Sequence, residues 1–324
     1  MICITKTLLF IGGCIIFSFN SYAQLDALQS VQESRFTAKK YLMQENYDSA
    51  YFAMSEFIDN AMAVNPFDYL SYALCNYKRN DTTTFLKYLD KAIESGIEQD
   101  MIRGYLRKLT GTDKDYLDTY LNENYLPLHK AGWIKYDTAL INEVISINKL
   151  DQLVRDELTR IKMDKVDSNY NYLFFLGRQA DSINYQRVVR LFESGKYPGY
   201  HNCGAIASYF SFTLMHITDG DEKKWQYIFT RLKTEVVAGN ISPDEVATIA
   251  DRHYKGRKEN PCSYYGHSGK TTELCDCQKV DKYRAAIGLE SLKEEYELLK
   301  QNLPECYQAI PDHKSDFPHD TKTK

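Results

Sequence analysis

The sequence is patterned for helices along most of its length, and no alternating apolar and polar run of useful length predicts a strand. Residues 142–163 form one amphipathic stretch, and residues 183–192 form another that stops at the breaker-rich turn SGKYPG of residues 194–199. The stretch GAIASYFSFTLMHI, residues 204–217, is almost wholly apolar, which is typical of a buried helix. We therefore predict an all-α fold.

Helix-end signals support the same fold. Residues 223–237 are amphipathic and are followed by Gly239, a common residue just after the carboxy-terminal end of a helix. The tetrapeptide SPDE at residues 242–245 combines a capping Ser, a Pro at the first helical position and a Glu three residues after the Ser. This capping box predicts a new helix, and it places Asp251 and Arg252 in the last turns of that helix.

The first 23 residues have the features of a secretory leader. One Lys precedes an apolar run over residues 8–19, and small residues at positions 21 and 23 precede Gln24 as at a cleavage site. An alternative is a lipoprotein anchored at Cys14, since residues 11–14 loosely resemble a lipobox, although the segment that follows is apolar rather than a polar tether. We therefore predict a signal peptide over residues 1–23 and a periplasmic or secreted protein with no membrane span in the mature chain.

Composition limits the function classes. The 324 residues include 44 acidic and 40 basic side chains, a net charge of −4 that argues against a nucleic-acid partner. The length suggests about two domains, each large enough for its own core. The sequence contains no phosphate-binding loop, dinucleotide glycine pattern, H-E-x-x-H or G-x-S-x-G motif, so we expect no cofactor and assign no reaction.

Six cysteines follow the leader: Cys75, Cys203, Cys262, Cys275, Cys277 and Cys306. Export permits disulfide bonds, and six cysteines allow about 15 connectivities. Since Cys262, Cys275 and Cys277 bracket a polar loop, we expect a bridge from Cys262 to one of the other two. Together with His267 they also have the atom types of a zinc site, but Cys275 and Cys277 are too close for the usual C-x₂₋₄-C spacing, and we expect no metal.

Two stretches of the amino-terminal half, residues 38–66 and 69–96, resemble tetratricopeptide (TPR) repeats, each a pair of antiparallel helices. The matching positions are Ala38, Tyr47, Ala50, Ala61 and Pro66 in the first and Tyr69, Ala73 and Ala92 in the second, where Phe85 replaces the usual small residue. The resemblance covers residues 34–100, and a weaker helical pair over 101–130 extends the predicted repeat region to 24–130. It implies either a concave surface that binds a protein or peptide, or a structural cap on the following domain.

A series of polar residues between about 135 and 295 is similar to an uncharacterised bacterial domain family, a domain of unknown function. The matching residues are Asp151, Gln152 and Arg155 in a D-Q-x-x-R pattern, Asp181, Asn184, residues 195–198, His216, Asp219, Asp251, Arg252, Tyr265, Gly266 and residues 280–289. The sequence departs from the family around Tyr265, where two Gln and one Thr of the family are absent and the insertion GKTTELCDCQK follows. The resemblance implies a second all-helical domain over 131–305, followed by a polar tail, 306–324, that we expect to be disordered, and it supplies no reaction.

His216 is the most suggestive candidate residue. It shares a helical face with Ala205, Tyr209, Phe212 and Asp219. A histidine on an apolar stripe must find a hydrogen-bond partner or stay neutral, so His216 is either a satisfied core residue or a general base that Asp219 orients.

Asp251 completes the candidate catalytic set of His216, Asp219 and Asp251. The candidate ligand-binding residues are Asp151, Gln152, Arg155, Asn184, Arg252 and Tyr265, and the alternative for these polar side chains is an interhelical salt-bridge network. Because neighbouring helical residues point about 100° apart, Asp251 and Arg252 cannot both face one ligand, and we expect one of them to be structural.

Two classes of function stay open. The first is an exported all-helical binding or interaction protein with a TPR-like surface, in which the polar residues are separately satisfied. The second is a hydrolase-like or small-ligand-binding domain, in which His216, Arg155 and Asp251 converge in one polar cleft. The absence of a recognised nucleophile favours the first class.

Overall fold

The computed structural model describes residues 28–59, 64–107, 109, 111–161, 169–217, 221–257, 259–267 and 273–309. Within these residues the protein is all-α, as predicted, and it contains no strand. Ser263 and Leu274 form an isolated parallel bridge in the loop between two helices. The leader over residues 1–23 with Cys14, the loop residue Asp219 and residues 310–324 lie outside the described residues.

Helices follow one another along the chain. They are α1 (residues 28–43), α2 (Tyr47–Ser55), α3 (Pro66–Lys78), α4 (Thr82–Glu94), α5 (Gln99–Tyr105), α6 (Thr112–Trp133), α7 (Thr138–Ile161), α8 (Asn169–Glu193), α9 (Tyr200–Cys203), α10 (Ala207–Ile217), α11 (Glu222–Val237), α12 (Pro243–Lys255), α13 (Val280–Ala285), α14 (Leu292–Leu298) and α15 (Glu305–Gln308). The longest segment between two of these helices lies between α12 and α13. A 3₁₀ turn, Gly204–Ile206, joins α9 to α10. No helix of the described part of the chain has the length and hydropathy needed to cross a membrane.

Local sequence sets the ends of several helices. The predicted capping box at α12 is confirmed, since the Ser242 hydroxyl accepts the Glu245 N–H and the Glu245 carboxylate accepts the Ser242 N–H, both at 3.2 Å. Pro243 occupies the first turn, where its missing N–H costs no hydrogen bond. Asn65 and Asp68 form the same kind of box at α3.

The amino-terminal helices α1 to α6 enclose one hydrophobic core. Ala50, Ala73 and Ala92, three of the small residues in the repeat pattern, are completely buried in it. They lie where α2, α3 and α4 pack closely, since a larger side chain there would separate the helices. Helix α6 runs to Trp133 and so crosses the domain boundary predicted at residue 130. The assignment of these helix pairs to the TPR class stays a prediction.

A second core lies among α7 to α12, and α10 is at its centre. Phe210 and Leu214 of α10 are completely buried, and α10 packs against α7, α8 and α12. One side of α10 nevertheless reaches solvent, because Phe212 is exposed, so the prediction of a helix buried on all sides is too strong.

The two cores meet along the start of α10. The Ala205 N–H donates to the Ser95 carbonyl at 2.6 Å, and the Tyr209 hydroxyl donates to Glu98 at 2.6 Å. Gly204 has φ +55°, and a Cβ at this position would lie 2.2 Å from the Ser95 carbonyl oxygen. Only glycine therefore permits this contact between the two halves.

Two disulfide bonds hold the carboxy-terminal segment. Cys262 pairs with Cys275, as expected, and Cys277 pairs with Cys306, a bridge that the sequence analysis did not predict. Because Cys306 lies in α15 beside the buried Tyr307, the disordered tail does not begin at residue 306, and that part of the prediction is wrong. Cys75 and Cys203 are buried thiols.

Candidate functional site

Three helices bring one group of polar side chains together, which we name the His216 cluster. It consists of Asp151, Gln152 and Arg155 from α7, Asp181 from α8 and His216 from α10. Asp151 is the centre of the cluster, and its side chain is completely buried. Its two oxygens lie 3.0 and 3.2 Å from Nδ1 of His216, and one of them accepts the Arg155 Nε–H at 2.9 Å.

Arg155 links the buried part of the cluster to its solvent side. One guanidinium nitrogen donates to Asp151, and another, Nη2, donates to Asp181 at 2.7 Å. The side chains of Arg155 and Asp181 keep 26% and 21% of their surface exposed, whereas that of Asp151 keeps none. Hydrogen bonds through Arg155 therefore connect the buried carboxylate of Asp151 with the partly exposed carboxylate of Asp181.

The environment moves the pKa values of the two carboxylates in opposite directions. Burial raises the pKa of Asp151, but the hydrogen bonds from His216 and Arg155 and the positive charge of Arg155 outweigh it and leave the pKa below its ordinary value. Burial, together with the negative charge of Asp151, raises the pKa of Asp181 in spite of Arg155. Carboxyl groups with separated pKa values are typical of sites that handle protons.

His216 presents its second ring nitrogen away from Asp151. Since an ionised carboxylate only accepts hydrogen bonds, Nδ1 carries a proton, and in the neutral tautomer of the ring the lone pair is then at Nε2. No described residue hydrogen-bonds to Nε2, and 9% of the side chain remains exposed. The Phe212 ring is nearly perpendicular to the imidazole, with the two ring centroids 5.1 Å apart, and Phe212 is 43% exposed. The Nε2 side is thus the part of the cluster that can receive a ligand.

Asp251 does not join the His216 cluster. Its carboxylate accepts the backbone N–H groups of Tyr265 and His267, each at 2.7 Å, and the side chain is buried. Burial raises the pKa of Asp251, although these bonds and one from Ser263 oppose the change. Asp251 therefore fixes the loop after α12, which corrects the expectation that it would converge with His216 and Arg155.

The other predicted ligand-binding residues are also outside the cluster. Arg252 is exposed, as the 100° rotation from Asp251 predicts. Asn184 is buried and donates to the Ile147 carbonyl at 3.1 Å, while its Oδ1 accepts no hydrogen bond in the described structure. Tyr265 is buried, and its carbonyl accepts from Arg284 at 2.7 Å. Asp219, predicted to orient His216, lies outside the described residues, and the described carboxylate that contacts the His216 ring is Asp151.

A second group of buried polar residues, which we name the loop network, consists of Asp251, His267, Arg284 and Glu295. Arg284 is completely buried, and its guanidinium donates to Glu295 and to the carbonyls of Tyr265 and Glu290. His267 Nδ1 lies 3.1 Å from Glu295. The sequence analysis considered His267 only as a zinc ligand, and it missed Glu295. The available signal was Arg284, a charged residue in the closing pattern of the resembled family.

Neither group has the geometry of a metal centre. Among the described residues no three His, Cys, Asp or Glu side chains are placed to hold a metal ion.

Comparison of the chain with protein-family models, with curated proteins and with solved structures gave no match. The resemblances to TPR repeats and to the uncharacterised bacterial domain accordingly stay predictions.

Proposed function

We propose that the protein binds a small polar ligand at the His216 cluster, with Nε2 of His216 as the central hydrogen-bond acceptor. The observation that carries this proposal is the pairing of Nδ1 with the buried carboxylate of Asp151, which leaves the other ring nitrogen turned away from Asp151 in a side chain that is 9% exposed. Buried polar atoms of a residue needed only for packing usually have hydrogen-bond partners, whereas Nε2 of His216 has none among the residues that the structure describes.

The same arrangement suits general-base chemistry. Asp151 holds the imidazole in the tautomer with a lone pair at Nε2 and stabilises the imidazolium that forms when Nε2 takes a proton. Since the cluster holds no Ser, Cys or Thr, a hydrolytic reaction here would use water as the nucleophile, activated by His216. Arg155 and Asp181 would orient the ligand from the solvent side.

The experiment is a fragment screen read by NMR on protein with labelled histidine. The variant His216→Asn places an amide near the position of Nδ1, so it retains a donor to Asp151 while it removes Nε2. The variant His216→Gln does the reverse. We expect fragments that shift the His216 signals to lose binding in His216→Asn and to retain part of it in His216→Gln. His129→Asn, a half-buried histidine of α6, is the matched control. The proposal fails if His216→Asn binds every hit like the wild type.

A second candidate function is a protein-binding or peptide-binding surface on the amino-terminal helices. Exposed apolar side chains favour it: Met43, Phe52 and Met101 all reach solvent. Binding to a peptide array is the test, with Phe52→Ser expected to weaken the selected peptides. Leu153→Ser, an exposed apolar residue on α7, serves as the control. Equal losses in both variants would argue against a specific surface.

We also propose that the protein works outside the cytoplasm, in the periplasm or beyond the cell. The two disulfide bonds support this location, since such bonds persist in oxidising compartments. Thiol counting on the protein purified from its own cells tests it. We expect two reactive thiols after denaturation, from Cys75 and Cys203. Additional reactive thiols at Cys262 or Cys277 would contradict the proposal.

A further inference from the structure

The charges of the His216 cluster do not balance. Asp151 and Asp181 supply two carboxylates, and Arg155 bridges both of them with its single positive charge. With His216 in its neutral form, the cluster carries a net negative charge. An anionic ligand would meet a guanidinium that both carboxylates already neutralise, and it would place a third negative charge beside them.

The end of α10 adds to the negative character. His216 lies in the last turn of the helix Ala207–Ile217, where the backbone carbonyls point along the axis toward the carboxy-terminal end. The helix dipole gives that end a partial negative charge, which favours cations nearby. This contribution is independent of the carboxylates, because it comes from the backbone of a different helix.

The groups that a ligand can reach are hydrogen-bond acceptors and an aromatic ring. His216 is more than nine-tenths buried, and its Nε2 is without a partner among the described residues. The partly exposed carboxylate of Asp181 is a second acceptor, and the exposed ring of Phe212 lies beside the imidazole. An aromatic face attracts cations through its quadrupole, and an ammonium group offers three donors to acceptors of this kind.

From these three features we infer that the ligand of the His216 cluster is a small organic amine, bound in its ammonium form. The ammonium group donates to Nε2 of His216 and to Asp181, and its carbon substituent lies against Phe212. This inference rests on the proposed function and specifies its ligand class. It also gives Asp181 a direct binding role, which distinguishes Asp181 from the buried Asp151.

Three probes of similar shape test the inference on the full chain: benzylammonium, benzyl alcohol and phenylacetate. Each is titrated while the His216 and Phe212 signals are followed by NMR at constant pH and ionic strength. We expect benzylammonium to shift both signals saturably and to bind about tenfold more tightly than benzyl alcohol, since a charge-assisted hydrogen bond replaces a neutral one. Phenylacetate should bind more weakly than either.

Two variants then test whether the carboxylate of Asp181 binds the ammonium group. Asp181→Asn should reduce the affinity for benzylammonium about tenfold while it leaves benzyl alcohol almost unchanged. Glu143→Gln is the matched control, because Glu143 pairs with Arg187 across the same two helices at 2.7 Å but outside the cluster. It should bind all probes like the wild type.

The possible outcomes test the amine inference separately from the existence of the site. If benzyl alcohol or phenylacetate binds as tightly as benzylammonium and shifts His216, the amine inference is overturned while the site stands. If no probe shifts His216, the inference is also overturned, and the fragment screen with His216→Asn decides on the site by itself. The comparison of probes on the wild-type chain needs no variant, so a loss of folding in Asp181→Asn cannot obscure it.

Discussion

The His216 cluster and the loop network use the same kinds of side chain to opposite effect. Each has a histidine beside a carboxylate and an arginine that joins two parts of the fold. In the loop network the arginine and the carboxylate are buried, with side-chain exposures of 0% for Arg284 and 2% for Glu295. In the His216 cluster, Arg155 and Asp181 stay partly exposed, and one nitrogen of His216 has no described partner.

The difference shows that convergence of polar residues does not define a ligand site. The loop network joins α12, α13 and α14, so its hydrogen bonds stabilise the packing of these helices. A ligand site also needs at least one polar atom that faces the ligand and has no hydrogen-bond partner within the protein. Of the histidines in these two groups, His216 meets this requirement among the described residues, and the following predictions test that distinction.

The largest expected effect is the removal of Arg284. Arg284→Met removes the arginine that pairs with the buried Glu295 and leaves the carbonyls of Tyr265 and Glu290 without this donor, and we expect the free energy of unfolding to fall by about 3–5 kcal/mol. Arg155→Met should cost only about 1–2 kcal/mol, because water can solvate Asp181 and because His216 still pairs with Asp151. Urea unfolding monitored by circular dichroism measures both values. Equal losses would mean that the His216 cluster is also mainly structural.

The next largest effect concerns the disulfide bond that closes the loop. Replacing Cys262 and Cys275 by Ser opens a loop with a sequence separation of 13. It should reduce the free energy of unfolding by about 3 kcal/mol, chiefly because the unfolded chain gains freedom. Ligand binding at His216 should stay unchanged if the two networks are independent. A loss of benzylammonium binding in the double Ser variant would show instead that they are coupled.

Much of the helical architecture could be predicted, because helix formation depends on local sequence. The capping box at residues 242–245 and the amphipathic stretch before Gly239 correspond to observed helix ends. The pairing of helices could not be predicted, since it depends on contacts such as Arg155 with Asp181 and Glu143 with Arg187 across α7 and α8. Such contacts join residues far apart in the chain, and many pairings of the same helices would satisfy their apolar faces.

The candidate site was predicted only in part, again because contacts between residues far apart in the chain leave no signal in the local sequence. The helical face of the apolar stretch identified His216 as a candidate, and the resemblance to the uncharacterised domain identified Asp151 and Arg155. Asp251 was grouped with them because its residue type fits a site, but its direction is set by a loop 14 to 16 residues further along the chain. The position of that loop depends on a disulfide bond and on Arg284, and no local signal at Asp251 reports either of them.

A smaller effect should appear in the pH dependence of stability. Burial lowers the pKa of His267, but the hydrogen bond and the charge of Glu295, with a contribution from Asp244, raise it above its ordinary value. A histidine whose pKa is raised by folding stabilises the protein fully below its unfolded pKa of about 6.5, and this stabilisation is lost as the pH rises through the folded value. The neighbouring carboxylate behaves in the opposite way.

Burial raises the pKa of Glu295, yet the hydrogen bond from His267 and the charges of Arg284 and His267 lower it to about 2. Its contribution is present above the unfolded pKa of about 4.3 and is lost as the pH falls toward 2. The pair therefore stabilises most between about pH 4.5 and 6.5. Unfolding at a series of pH values should show a decline above this window that His267→Gln removes. His201→Gln, an exposed residue of α9, should retain the decline.

The smallest expected effect belongs to Arg252, the neighbour of Asp251. Its exposed side chain points about 100° away from the buried carboxylate, so Arg252→Ala should change the free energy of unfolding by no more than about 0.5 kcal/mol. Asp251→Ala should cost several times more, because it leaves the N–H groups of Tyr265 and His267 buried without an acceptor. Arg252→Ala should also bind benzylammonium like the wild type. A clear loss of binding in that variant would place a cationic residue in the ligand site, and the site would then favour an anion rather than an amine.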